Sequence, residues 1–460
     1  MTSSRERIAI VFMTISAVMT LILGIAVAYQ VGHPRSEVVS TQSASNTGSS
    51  EVASGDTSTS SGGGGSTAGT SGTAATAGRT VTTGGGSSGG STSNVSNASV
   101  GVSKGVITVG GIYDETGPVD ATTERDTVRS YFNMVNAQGG VNGYKLQLID
   151  CDSGYDPQLA RQCSNRLISN GILAVVGWTS VNGEEPETPF LASKGIPVIG
   201  GLGVPAEYAN SLAFPQSAAF LTYGTAMGSD ASDIGIKAPG IVVVNANFIK
   251  PVEKSLEDSL TKHGIKWTSV NEVDATKADY TDIVIKLRQE KADSIIAALD
   301  PFSYARLFQA MDRQAFHPKY FLGLGLDKGS AQKQYASTVY NAYSLTPVLE
   351  VDEHQNIAPI HEYLSAVQKY YPNQVPALDV YTEQQWIAAK FFVQALRTMG
   401  SKPVTRTNLV AAMNSIKGWN NGITVPLTYG ASNGHDPNRC FQYTQNKSGT
   451  WHTYTGWKCF

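Results

Sequence analysis

VITVGGIYDETGP, residues 106–118, opens the stretch that decides the fold. Residues 106–109 are a β-branched run that breaks into the loop 110–118. A helical pattern follows to Ala137 and stops at Gly139-Gly140, the residue type that most readily takes the left-handed turn beyond a helix. Residues 145–149 form the next strand. Asp156-Pro157 starts the next helix, a capping side chain followed by a first-turn proline. Residues 172–176 and 196–199 supply a third and a fourth strand. Strands alternating with helices of about ten to fifteen residues imply βαβ units and a parallel sheet. Ligands of such sheets bind in the loops beyond the carboxyl ends of the strands, which says where to look.

Working outward, the 460 residues fall into three regimes. Residues 8–29 are apolar and uncharged, preceded by Arg5 and Arg7, and belong to an N-terminal segment of residues 1–39. Two readings stand. Ala26-Val27-Ala28 fits a signal-peptide cleavage site, whereas the run approaches the roughly 20 residues that span a bilayer. Both put the globular part outside: as a single membrane span at the cell membrane, or secreted or periplasmic after cleavage. Residues 40–104 are rich in Ser, Thr, Gly and Ala and cannot bury enough apolar surface to fold. Such a coil spans roughly 40–50 Å. Asn94-Val-Ser96 and Asn97-Ala-Ser99 are glycosylation sequons where the cell has that machinery. Residues 105–460 have globular composition, and the formal charge of −3 argues against nucleic acid as a partner.

Four cysteines, Cys151, Cys163, Cys440 and Cys459, lie in the exported part, and an even count there favours disulfides. The local pairing is preferred. Cys151 ends a strand and Cys163 lies two turns into the next helix. Cys440 and Cys459 bracket an apparent hairpin around residues 446–449, although a simple two-strand register does not place them opposite each other. No Cys-x-x-Cys occurs, and no histidine spacing suits a metal.

From about residue 217 the pattern restarts. Strands are expected at 241–244, 266–270, 294–298 and 320–322, with helices at 252–263, 280–289 and 301–316 between them. The tail adds helices at 357–371, 382–399 and 406–416 and a hairpin from residues 440–444 and 450–457. Two α/β lobes with late additions suggest a chain that crosses between them more than once, with the ligand in the intervening cleft.

Several stretches together carry a resemblance: Thr116-Gly-Pro118, VNAQGGVNGYKLQL at 135–148, Asp152 through Asp156-Pro157, Val175-Val-Gly177, GIPVI at 195–199 and the late Asp436-Pro437. The chain resembles type I periplasmic binding proteins, most of all the leucine/isoleucine/valine-binding group. The resemblance implies an α/β fold of two Rossmann-like lobes joined by multiple hinge crossovers. Lobe 1 would hold about 105–218 and 347–432, and lobe 2 about 219–346 and 433–460. It implies a clamp that captures a small-molecule solute for an ABC permease. The alternative is a membrane-tethered sensor that reports to a partner protein. No cofactor and no enzymatic activity are implied.

The pocket positions depart from those of amino-acid binders. Where that group places a serine, an alanine and a threonine for the ligand carboxylate, this chain has Val181, Leu202 and Val204. The position of a second-lobe tyrosine holds Asp300. The acid that meets the ligand ammonium falls near Gly325, two residues from Asp327, and an aromatic falls near Phe248. Backbone N–H groups of Asn182, Gly183 and Gly203 remain as substitute donors for a carboxylate. Trp178 and Thr179, just past the third strand, and Tyr113 with Glu115, past the first, complete the expected ligand-binding set. Each has a plain reading beside it: lobe packing for Trp178, and a helix cap for Asp300.

Other motifs read as bland. Gly201-Leu-Gly203-Val-Pro-Ala206 is interrupted by proline and is a turn rather than a dinucleotide fingerprint. Gly430-Ala-Ser432-Asn-Gly434 lacks the strand and helix of a nucleophile elbow. His354 and His361 read as surface residues.

Overall fold

The computed structural model describes residues 100–460 apart from residue 119 and residues 327–340. The apolar segment 8–29, the 40–99 part of the Ser/Thr/Gly-rich stretch and Asp327 therefore lie outside the described residues. Among the described residues no helix is long and apolar enough to cross a membrane.

The first sheet is built on β2 (Val106–Tyr113), which pairs in parallel with β3 (Lys145–Asp152) over its full length, Val106 beside Lys145 and Tyr113 beside Asp152. On its other side it meets β4 (Val175–Val176), which continues to β5 (Val198–Ile199) and β6 (Ala213–Phe214), all parallel. The short β1 (Val102–Ser103) runs antiparallel to β2. β2 is longer than its β-branched run because Gly110 and Gly111 continue it. A Cβ on Gly110 would sit 2.8 Å from the Leu167 and Ile172 side chains, so glycine is what lets the sheet be covered so closely. As expected, Asp156 caps the helix Pro157–Ser169, accepting the Gln158 and Leu159 N–H groups at 2.6 and 3.1 Å.

The second sheet has the order β8 (Ser269–Val273), β7 (Pro239–Val244), β9 (Ser294–Ala298), β10 (Tyr320–Leu324), β11 (Tyr343–Thr346), β12 (Cys440–Lys447), β13 (Thr450–Thr453). β7 to β11 are parallel, and β12 joins antiparallel to β11. Every residue of β7 and β9 is buried, as strands covered on both faces require. β14 (Lys458–Cys459) returns to the start of β12.

The core of the first lobe centres on the helix Val380–Met399, which Asp379 and Thr382 start with a reciprocal cap. It lies against the helix Thr122–Ala137: the Tyr131 and Trp386 rings meet edge-on at 4.7 Å, and Phe132 and Phe392 lie 6.0 Å apart. Trp386, Phe391 and Phe392 are all fully buried.

The chain passes between the lobes three times, after β6, after β11 and before β12. One side chain joins the three passages. Buried Asn438 donates to the Gln216 carbonyl at 3.4 Å and to the Pro347 carbonyl at 3.1 Å, and its backbone bridges to Ala218.

The structure joins Cys151 to Cys163 and Cys440 to Cys459. The second pair is opposite after all: Cys440 and Cys459 are register partners of β12 and β14. β13 pairs Thr444 with Thr453, so the return strand holds two more residues than a plain hairpin would, and the excess bulges at Tyr454–Trp457.

Candidate functional site

The strand ends of the first lobe are tied together by carboxylates. Asp114, at the end of β2, accepts the Ser153 hydroxyl at 2.7 Å and the Tyr155 N–H at 2.8 Å with one oxygen, and the Val181 N–H at 2.8 Å with the other. It thus holds the loops after β3 and β4. Burial raises its pKa, an effect that these hydrogen bonds oppose. Asp152 does the same for the Glu115–Thr116 turn, accepting the Glu115 N–H at 3.0 Å and the Thr116 hydroxyl at 2.8 Å.

These loops form one wall of a cavity of about 90 Å³ between the lobes. Tyr155, Thr179, Val181, Leu202 and Glu124 line it from the first lobe, with Tyr381 at the start of the long helix. Phe220, Val244, Phe248, Ile249, Ala298, Leu299, Asp300 and Leu324 line it from the second. The Phe220 and Phe248 rings lie 6.0 Å apart and form an aromatic floor. The cavity falls well below the roughly 300–1,000 Å³ of drug-sized pockets, so it suits a small solute.

Five expected residues meet here: Thr179, Val181, Leu202, Phe248 and Asp300. Asp300 is both cap and cleft acid. It starts the helix Pro301–Arg313 and lines the cavity. The others lie elsewhere. Tyr113 is fully buried, folded back beside Gly111 and Gly177 of its own sheet. Glu115 is turned away by its ion pair with Arg125. Trp178 packs among Ile112, Leu167 and Leu191 around the Cys151–Cys163 bridge, so it is core and not a cleft wall. Val204 is buried in the second lobe's core cluster, ahead of the short helix Pro205–Tyr208. Asn182 lies at the loop but spends its carboxamide on the Tyr155 carbonyl, 2.8 Å away.

Two of the three expected substitute donors are spent as well. Gly183 N–H donates to the Ser180 carbonyl at 3.0 Å, and Gly203 N–H to Glu207 at 3.0 Å.

Sequence reasoning passed over Tyr155, Phe220, Tyr381 and Glu124. Tyr155 had a signal: it lies in SGYDP between a strand end and a helix cap. Its φ of 63° is a left-handed conformation that a tyrosine adopts only when its surroundings impose it. Here the Asp114 carboxylate and the Asn182 carboxamide hold its N–H and its carbonyl. Burial, then the negative charges of Asp300 and Asp114, raise the pKa of the Tyr155 hydroxyl, so the phenol stays protonated beside the cavity. The site therefore offers apolar walls, two carboxylates, Glu124 and Asp300, and three hydroxyls, those of Tyr155, Thr179 and Tyr381. Among the described residues, no group of three His, Cys, Asp or Glu could hold a metal ion. Ser432 is exposed in an irregular loop rather than on an elbow, and His354 and His361 lie on separate helices.

The periplasmic binding protein family model matches residues 106–450, three quarters of the chain. The chain belongs to the periplasmic binding protein family. That family is one of binding proteins rather than enzymes. The chain is similar to the Leu/Ile/Val-binding protein of Escherichia coli K12, at 23% identity over 211 residues, 44% of this chain and 53% of that protein. It thus spans about half the length of the curated relatives it matches. Two solved structures share the periplasmic binding protein fold. One is a fatty acid ABC transporter substrate-binding protein from Thermomonospora curvata, with a TM-score of 0.70 and 19% identity, covering 80% of this chain and 95% of that one. The other is a branched chain amino acid ABC transporter protein from Thermus thermophilus with bound valine, with a TM-score of 0.68 and 16% identity, covering 77% and 97%.

Proposed function

We propose that this periplasmic binding protein works outside the cytoplasmic membrane as the solute-binding component of an ABC importer. Its two lobes close on a small, partly apolar solute that is neutral or cationic. The observation that carries the reading is the inter-lobe cavity: apolar side chains from both lobes enclose it, and Asp300 is the acid on the second-lobe side. Phe220 and Phe248 stack on the solute, and Asp300 accepts a hydrogen bond from it. Closure is favoured because the closed form adds contacts from the second lobe. Binding is tested by calorimetry and thermal shift on the purified protein with leucine, isoleucine and valine beside small neutral amides, alcohols and amines. The branched-chain amino acids are expected to bind poorly, and an apolar neutral or cationic solute at micromolar level. Micromolar leucine binding that Asp300→Ala leaves unchanged would refute the reading.

A further inference from the structure

Two first-lobe loops border the cavity, and their N–H groups point at the protein's own acids. Ser180 N–H donates to Glu184 at 3.1 Å and Leu202 N–H to the other oxygen of Glu184 at 2.7 Å. Val181 N–H donates to Asp114 at 2.8 Å and Gly203 N–H to Glu207 at 3.0 Å. Val181 and Leu202 line the cavity, yet their N–H groups are bonded to buried carboxylates. The three acids are fully buried, and none forms an ion pair with a Lys or Arg among the described residues. Glu184 and Glu207 lie beside each other in this buried site. Burial, and for Glu207 the neighbouring Glu184, raise both their pKa values.

Convergent N–H donors are what an anionic ligand group needs, and here that set is filled from within. An incoming carboxylate meets the Val181 and Leu202 side chains, and the N–H groups behind them already have acceptors. We infer that Asp114, Glu184 and Glu207 set the charge selectivity of the cleft: by occupying the loop N–H groups they bar carboxylate solutes and leave neutral or cationic apolar ones admitted. This rests on the reading of the cleft as a solute site and names the residues that decide its ligand class.

The test uses benzoate, benzamide and benzylamine, which share a ring and differ in charge, with the wild-type protein and a Glu184→Ala/Glu207→Ala variant. In calorimetry the wild type is expected to bind benzoate at least about tenfold more weakly than benzamide or benzylamine, and the variant to lose that gap. Thermal shift with acetate against chloride at matched ionic strength gives a second reading. Acetate should stabilise the variant, whose vacated N–H groups it fills, and leave the wild type unmoved. Should the double alanine variant not fold, Glu184→Gln/Glu207→Gln keeps acceptor oxygens on the loop N–H groups, so its benzoate penalty should persist, and its loss there would overturn the inference. Wild-type binding of benzoate as tight as benzamide overturns the inference, and so does a folded alanine variant with neither gained benzoate affinity nor an acetate effect. The acetate reading needs no closure on a solute, so it decides this inference even where the proposed function fails.

Discussion

Asp300 and Ser303 are joined twice: one carboxylate oxygen accepts the Ser303 N–H at 3.0 Å, and the other accepts its hydroxyl at 2.5 Å. The first oxygen also takes the Phe302 N–H at 3.0 Å. The residue that faces the cavity is thus the residue that starts the helix, and its two roles can be separated. Asp300→Asn keeps a good cap and removes the charge, so stability should change little while affinity for a cationic or donor solute falls. Asp300→Ala loses both. It should cost about 1 kcal/mol of stability as a lost cap, and weaken binding by about 10- to 150-fold if the charge-assisted bond contributes roughly 1.5–3 kcal/mol. Urea unfolding and calorimetry on the two variants check this.

Phe248 and Trp178 should answer oppositely to truncation. Phe248 is half-buried at the cavity, so Phe248→Ala should weaken solute binding by about tenfold or more, from roughly 1.5–3 kcal/mol of lost apolar contact, with a small effect on stability. Trp178 is fully buried away from the cavity. Trp178→Phe should lower the unfolding midpoint and leave the dissociation constant of whatever solute binds within about threefold, the scatter of distant sites. A large affinity loss in Trp178→Phe would return that ring to the cleft.

Asp230 gives a pH dependence. It is fully buried, accepts the Tyr454 hydroxyl, and burial pushes its pKa up to about 8. In the unfolded chain it titrates near 3.9. Its contribution is therefore fully present below about pH 4 and lost as pH rises through about 8. Asp230→Asn should flatten this part of the curve, becoming relatively more stable than the wild type at alkaline pH. Urea unfolding of both proteins on either side of the range checks the sign.

Non-reducing peptide mapping should join Cys151 to Cys163 and Cys440 to Cys459, with sequence separations of 12 and 19. Each bridge is worth about 3 kcal/mol in the chain-entropy model. Replacing Cys440 and Cys459 together by serine should lower stability by about that amount in denaturant unfolding. A bridge from Cys163 to Cys459 would contradict the register of β12 and β14.

The parallel sheets were legible because β-branched runs alternate with helices, and Asp156-Pro157 marks its helix start without help from the rest of the chain. What escaped depends on distant contacts. Gly110 and Gly111 read as the start of a loop, since nothing local reveals that Leu167 and Ile172 press on them. β11, Tyr343–Thr346, is a four-residue strand set between β10 and β12, and neither pairing is visible from its own residues. β8 begins at Ser269, three residues later than the expected strand start at 266. At the cavity, transfer by position found residues on strand-end loops, but it could not tell which way a side chain turns. Trp178 and Thr179 are neighbours, yet one is core and the other lines the cavity. Glu184 and Glu207 each lie in the first turn of a helix, far apart in sequence from Asp114. Only the fold brings them to one buried site.

The order in which this chain can finish folding follows from its three passages between the lobes. The second sheet needs β12, whose residues come almost last, and the first lobe's core needs the helix Val380–Met399, long after the strands it covers. Neither lobe is complete in any N-terminal fragment. A nascent chain emerging from a ribosome or a translocation channel must hold β11, three of its four residues buried, without its neighbour β12 until almost the whole sequence has passed. Contacts this distant in sequence fold slowly, so the two lobes set late and nearly together rather than one after the other.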